Sequence, residues 1–208
     1  MGNVVKCHFL NPTDMVARYL RRYVSKGEGW TCAEGYHSIS VRIEDESVKY
    51  RSIEGSQVID NDVTLTPALL RDSRWPKRCA CGYSFKAKDE RQLNVELIYS
   101  RSDNGELITL NEAGPGAMYD AFWYPWKGPD GRSLVVKCPN GREWMIDGQA
   151  NNCTMKDDWK QEQHHCWTRT GTPPLITVGK EFGPTCNAGG GSIQAGDYHG
   201  FLRNGQFT

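Results

Sequence analysis

Polar and apolar positions alternate only in short runs along this chain, and most runs are closed by Gly, Pro, Asn or Asp. "NVVKCHFL" reads as a short strand. The stretch that follows, "NPTDMVARYLRRYVSKG", departs from that pattern. Val16, Tyr19, Leu20, Tyr23 and Val24 recur at three- and four-residue spacing, which predicts an amphipathic helix. Thr13 or Asn11 would cap it, Asp14 would sit in its first turn, and Gly27 would stop it. Arg18, Arg21, Arg22 and Lys26 would form its basic outer face.

Beyond residue 30 the pattern returns to strands and turns. "HSISVRIED" and "SVKYRSI" read as paired strands, and "TPALLRDS" as a short helix with Pro67 at its first position. "LNVELIYS" and "GELITL" flank Asn104-Gly105, a hairpin turn signal. "RSLVVKCPNGREWMID" predicts a second hairpin turning at Pro139-Asn140-Gly141. "PPLITV" and "DYHGFLRNGQF" close the chain as short strands, the latter turning at Asn204-Gly205. The expected class is α+β: mostly short antiparallel strands with one N-terminal helix, loop-rich and stapled by zinc. Two modules are expected, an N-terminal zinc-knuckle α+β module over 1–113 and a β-rich Cys/His module over 114–208, joined through the aromatic stretch "NEAGPGAMYDAFWYPWKGPDG".

Composition supports a folded but loop-rich protein. The 208 residues carry 25 Lys plus Arg against 25 Asp plus Glu, so no net charge draws the chain toward nucleic acid or membrane. The hydrophobic fraction is only 38%, and 7 Trp and 9 Tyr compensate by burying large areas. No apolar run is long enough to span a bilayer. "MGNVVKCHFLNP" lacks the features of a signal peptide, and Lys6 stands where a myristoylation motif wants Ser or Thr. The expectation is a protein made in a reducing cytoplasm, where the "NCT" at 152–154 would not be glycosylated. In that compartment 8 cysteines point to metal ligands or buried thiols before disulfides.

Two constellations carry that chemistry. "RWPKRCACGYSF" places Cys79 and Cys81 one residue apart, too close for an unstrained disulfide between them. Gly82 gives the backbone room to turn both sulfurs toward one ion. Cys32 and His37 in "CAEGYH" supply a second pair, and four protein ligands make a closed, structural zinc site. In the C-terminal half Cys153, Cys166 and Cys186 lie near His164 and His165, with Cys138 a competing ligand. Zinc, a disulfide or plain buried thiols all fit these longer spacings; His165 is taken as the fourth ligand. Cys7, inside a strand pattern, reads as a small core residue.

Catalytic templates are lacking: there is no G-x-S-x-G, H-E-x-x-H or phosphate-loop signature. "GGGSIQAG" lacks the surrounding strand-to-helix pattern and reads as a tight turn. His164 or His165, Asn187 and His199 follow the order of a His-Asn-His nuclease, but at looser spacing and in competition with the zinc reading. Arg74, Trp75, Lys77 and Arg78, beside Arg71, make a local basic patch with one aromatic, a candidate partner-binding surface for nucleic acid or a host factor. Trp123, Tyr124 and Trp126 are candidate anchors on a neighbouring subunit.

The motif series "WPKRCACGYSF", "EWMIDGQANNCT", "HHCWTRTGTPP", "TCNAGGGSI" and "DYHGFLRNG" resembles a group of small Cys-rich proteins of unknown function encoded by tailed bacteriophages. The resemblance runs from about residue 37 to the end. It implies a viral origin and a place in the host cytoplasm during infection or in the virion. It also favours grouping Cys153, Cys166, Cys186 and a nearby His, leaving Cys138 out. The resulting expectation is a zinc-binding, non-catalytic virion component, capsid-decorating or tail-associated, whose partners are other phage virion proteins and not a membrane. Nucleic-acid or host-factor binding is the alternative.

Overall fold

The central strand of the N-terminal region is His8–Tyr23, and its residues are buried on both faces. In the computed structural model, which describes residues 4–25, 31–33, 35–53, 56–150, 153, 164–179, 186 and 191–208, strand takes up 48% of the described residues and helix 2%. The expected N-terminal helix is therefore not formed, and the α+β class gives way to a β fold of several small sheets. The reason lies in the burial. Met15, Ala17 and Tyr19 point to one side and pack with Ile98; Leu20 points to the other and packs with Trp75 and Leu93. A strand covered on both faces loses its apolar-polar alternation. Here the buried positions 16, 17, 19 and 20 happen to reproduce helical spacing.

Tertiary pairing overrides what propensity there is. Strand Ser38–Ser47 pairs antiparallel with His8–Tyr23, from Met15↔Ser47 to Tyr23↔Ser38. The register passes from Arg18↔Glu44 to Tyr19↔Arg42, so Ile43 is the extra residue of a bulge. Of the expected basic helix face, Arg18, Arg21 and Arg22 become sheet and loop contacts, and Lys26 lies outside the described residues. Arg18 pairs with Glu44 and Glu46 at 3.4 and 3.6 Å, and Arg22 donates to the Lys86 carbonyl at 2.6 Å. Gly27, expected to end the helix, lies outside the described residues.

The chain divides into two compact units, residues 12–98 and residues 1–11 with 99–208; the sequence expectation placed a boundary at 113/114. In the 12–98 unit the helix Pro67–Leu70 forms as expected, with Thr66 Oγ1 accepting from Leu69 N at 3.2 Å. Trp75 is locked beneath it by an Nε1 hydrogen bond to the Leu69 carbonyl. Tyr50–Ile53 pairs with Ser56–Ile59 rather than with Ser38–Ser47.

In the other unit Ala117–Asp120, Leu134–Lys137 and Glu143–Met145 form successive antiparallel pairs, and His8 and Phe9 add in parallel to Ala117 and Met118. Among the described residues it also holds the short hairpins Thr168–Thr170 with Thr177–Gly179, Ile193–Ala195 with Tyr198–Gly200, and Leu202–Arg203 with Gln206–Phe207, the last of which also pairs with Val5–Lys6. The anticipated turns at 104–105, 139–141 and 204–205 are present, with Gly105, Gly141 and Gly205 all at positive φ. The core of this unit gathers Met118, Leu134, Ile146, Trp167 and Ile193 around Cys153, Cys166 and Cys186.

Candidate metal centres

The first centre is assembled within the 12–98 unit by two tight turns. The hairpin Thr31–Cys32/Gly35–Tyr36 brings Cys32 close to His37, and Gly35 at φ 102° makes its turn. Opposite it, the backbone wraps around Cys79: Cys79 N donates to the Tyr83 carbonyl and Gly82 N to the Cys79 carbonyl, both at 2.9 Å. Gly82 adopts φ 89°, a conformation that L side chains rarely take. The donor atoms of Cys32, His37, Cys79 and Cys81 all lie within 4.8 Å of one another. His37 Nδ1 stands 3.4 Å from Cys81 Sγ.

Burial tends to raise the Cys79 thiol pKa. Hydrogen bonds from the Cys81 backbone and from His37, Cys81 and Cys32 outweigh it and bring the value down to about 7. A second layer holds the ring of His37. Tyr83 stacks on it at 4.3 Å, and the Tyr83 hydroxyl donates to Asp89 Oδ2 at 3.2 Å. That buried carboxylate also accepts from Lys86 N at 2.6 Å. Nothing in the linear sequence marks Tyr83 or Asp89 for this task, because neither is a ligand.

The second centre lies in the core of the other unit. Cys153, His164, Cys166 and Cys186 place their donor atoms within 4.8 Å of one another. Cys186 Sγ is 3.4 Å from Cys166 Sγ and 3.7 Å from Cys153 Sγ, and His164 Nε2 is 3.9 Å from Cys166 Sγ. The Ala150 N–H donates to Cys166 Sγ at 3.2 Å. Burial pushes the Cys166 thiol up to about 12; the Ala150 N–H opposes this and the neighbouring thiols of Cys186 and Cys153 add to it. Three crowded sulfurs in an apolar core repel one another as thiolates, and a bound cation reverses that balance.

Every cysteine is a free thiol, and these sulfur separations are far longer than a disulfide bond. They match the edges of a metal tetrahedron instead, about 3.8 Å for metal–sulfur arms of roughly 2.3 Å. All four predicted ligands of the first centre come together. In the second, His164 takes the place expected of His165, whose Nδ1 lies 2.8 Å from the Asp147 carbonyl. Only one of the two adjacent histidines therefore reaches the thiols. Cys138 is fully buried in the same core as Cys153, Cys166 and Cys186, against which Cys7 packs, but it is not one of the four converging donors.

The candidate partner patch is altered by the fold. Trp75 is only 6% exposed and presents no face for stacking. Arg74 is engaged by Asp72 at 2.7 Å and by the Ile43 carbonyl at 3.0 Å, while Lys77 and Arg78 are exposed. Of the nuclease trio, His164 belongs to the thiol cluster, and His199 Nε2 lies 3.0 Å from Ser192 Oγ. Asn187 lies outside the described residues. Phe122 and Trp123 are each 49% exposed, while Tyr124 and Trp126 are half-buried. Among the described residues no helix is long and apolar enough to cross a membrane. No protein-family model, no curated protein and no solved structure matches the chain.

Proposed function

We propose that this protein is a zinc-stapled structural component encoded by a bacteriophage and associated with the virion, where the metals hold the fold and take no part in catalysis. The observation that carries the reading is geometric: twice in the chain, three cysteine sulfurs and one imidazole nitrogen converge within 4.8 Å of one another. Soft thiolates with imidazole favour zinc over hard cations, and four protein ligands leave no coordination position for water or substrate.

The architecture gives the metals work to do. The unit that holds the second centre is built from strands of two to four residues and tight turns, and in the other unit the first centre joins a two-residue-strand hairpin to the turn around Cys79; small loop-rich regions commonly need a staple. Metal binding to such ligands is folding free energy, since the unfolded chain has no preformed site. The viral and virion assignment rests on the sequence resemblance to phage-encoded proteins. The exposed rings of Phe122 and Trp123 supply anchors of the kind enriched at subunit interfaces.

Elemental analysis with native mass spectrometry tests the metal reading: two zinc ions per chain are expected, and a metal-free, fully folded chain would overturn it. Proteomics of purified phage particles tests the structural reading. Many copies per particle support it, and absence at deep coverage removes it.

A further inference from the structure

The two centres differ in how an oxidant can reach their sulfurs. In the first, Cys81 is exposed and Cys32 half-buried, although Cys79 and His37 are only 5% and 8% exposed. In the second, Cys153, Cys166 and Cys186 are 4%, 0% and 7% exposed and sit in the hydrophobic core with Trp144, Ile146 and Trp167. The Ala150 N–H bonded to Cys166 Sγ further withdraws electron density from that sulfur. Oxidation of cysteine follows thiolate character and access. A zinc-bound thiolate that faces solvent meets both conditions; one sealed in a core meets the first alone.

We infer that the first centre is an oxidation-sensitive zinc switch, opening at Cys81, whereas the second keeps its metal under the same conditions. The inference rests on the zinc reading of both clusters. The reactant is a peroxide. The Cys81 thiolate attacks one peroxide oxygen, the O–O bond breaks, and hydroxide leaves to be protonated to water. The Cys32 thiolate then attacks the oxidised Cys81 sulfur, and the second oxygen departs as hydroxide and is protonated in turn. The sum is two thiolates, one peroxide and two protons giving one disulfide and two waters. The sulfurs lose two electrons, the peroxide gains them, and the zinc ion, stripped of two ligands, is released.

Cys32 is the resolving partner for a geometric reason. Cys79 is separated from Cys81 by one residue, and a disulfide across so small a ring is strained, while Cys32 comes from the opposite hairpin and lies within 4.8 Å. Loss of the ion frees His37, whose ring is stacked on Tyr83, so the loops between Lys77 and Asp89 lose their anchor. Such a switch would read the passage of a virion from a reducing cytoplasm to an oxidising exterior.

The test uses the full chain loaded with zinc, treated with hydrogen peroxide in the presence of a chromophoric zinc chelator. One equivalent of zinc is expected to leave at least about tenfold faster than the second, in keeping with access-controlled oxidation. Peptide mapping at that stage should show a Cys32–Cys81 disulfide with Cys153, Cys166 and Cys186 still reduced. Reductant plus zinc should restore the first site. Cys81→Ser should abolish the fast phase; should that variant not fold, alkylation of the native protein must modify Cys81 before any cysteine of the second centre. Two ions leaving at one rate, or earlier oxidation of the second centre, overturns the switch while leaving the zinc reading intact. A folded chain that never binds zinc overturns both.

Discussion

The phenol of Tyr83 lies over the imidazole of His37, with ring centroids 4.3 Å apart and planes inclined by 28°. Its hydroxyl reaches Asp89 Oδ2 at 3.2 Å, so a metal-ligand candidate is clamped by a residue that is itself clamped. Partners that orient a metal ligand typically change affinity about 10–100-fold when removed. Tyr83→Leu is therefore expected to weaken zinc at the first centre by about that factor and leave the second unchanged. Competition against a chromophoric chelator measures it. Tyr83→Phe, which keeps the stack and loses the hydroxyl, should fall between the two.

Gly82→Ala probes the turn that aims the two sulfurs. A Cβ at Gly82 meets nothing within 4 Å, so the cost comes from the backbone at φ 89° alone. It should amount to about 1–2 kcal/mol, the usual penalty of a left-handed conformation. Urea denaturation of the zinc-loaded protein checks this. Gly82→Asn should be milder, since Asn tolerates positive φ better than Ala.

Arg169 and Asp147 form a nearly dry ion pair in the other unit, with side chains 2% and 4% exposed and Nε 2.8 Å from Oδ1. The second oxygen of Asp147 accepts from Leu134 N at 2.8 Å. Arg169→Met strands a buried carboxylate and is expected to destabilise by about 3–5 kcal/mol. Pairing it with Asp147→Asn should recover part of the loss. Thermal or chemical unfolding of the single and double variants decides it.

Asp130 also faces Arg169. Burial pushes its carboxyl up, but hydrogen bonds from Arg169 and from the Arg132 N–H prevail and hold it below the ordinary 3.8. A depressed folded pKa contributes stability that is present above the unfolded value and lost as pH falls through the folded one. The stability difference between the native protein and Asp130→Asn should be constant near neutrality and shrink below about pH 4. A difference that persists unchanged at lower pH would contradict the assigned contact.

Much of the metal chemistry was legible in the linear sequence because it is local. The Cys79–Cys81–Gly82 knuckle and the Cys32/His37 pair each need only one turn to form, and sulfur and imidazole donors have few other uses at that spacing. The choice between His164 and His165 was not legible. The two are adjacent and chemically identical, and only the packed core brings His164 to the thiols while His165 meets the Asp147 carbonyl. Trp75 looked like a stacking residue from its basic neighbours; its burial depends on Leu20 and Leu93, distant in sequence.

Short-range chemistry was enough to set the turns at Asn104-Gly105, Pro139-Asn140-Gly141 and Asn204-Gly205, the cap of Pro67–Leu70 and most of the candidate metal ligands. Each of these follows from the conformational limits or donor chemistry of a few adjacent residues. That His8–Tyr23 is a strand follows from long-range packing alone. Leu20 and Tyr19 are buried on opposite sides of one sheet, against Trp75 and Ile98, and a local window cannot tell two covered sheet faces from one helical stripe. Contacts that close over dozens of residues settle it, because the apolar area they bury outweighs the small intrinsic preferences of the segment.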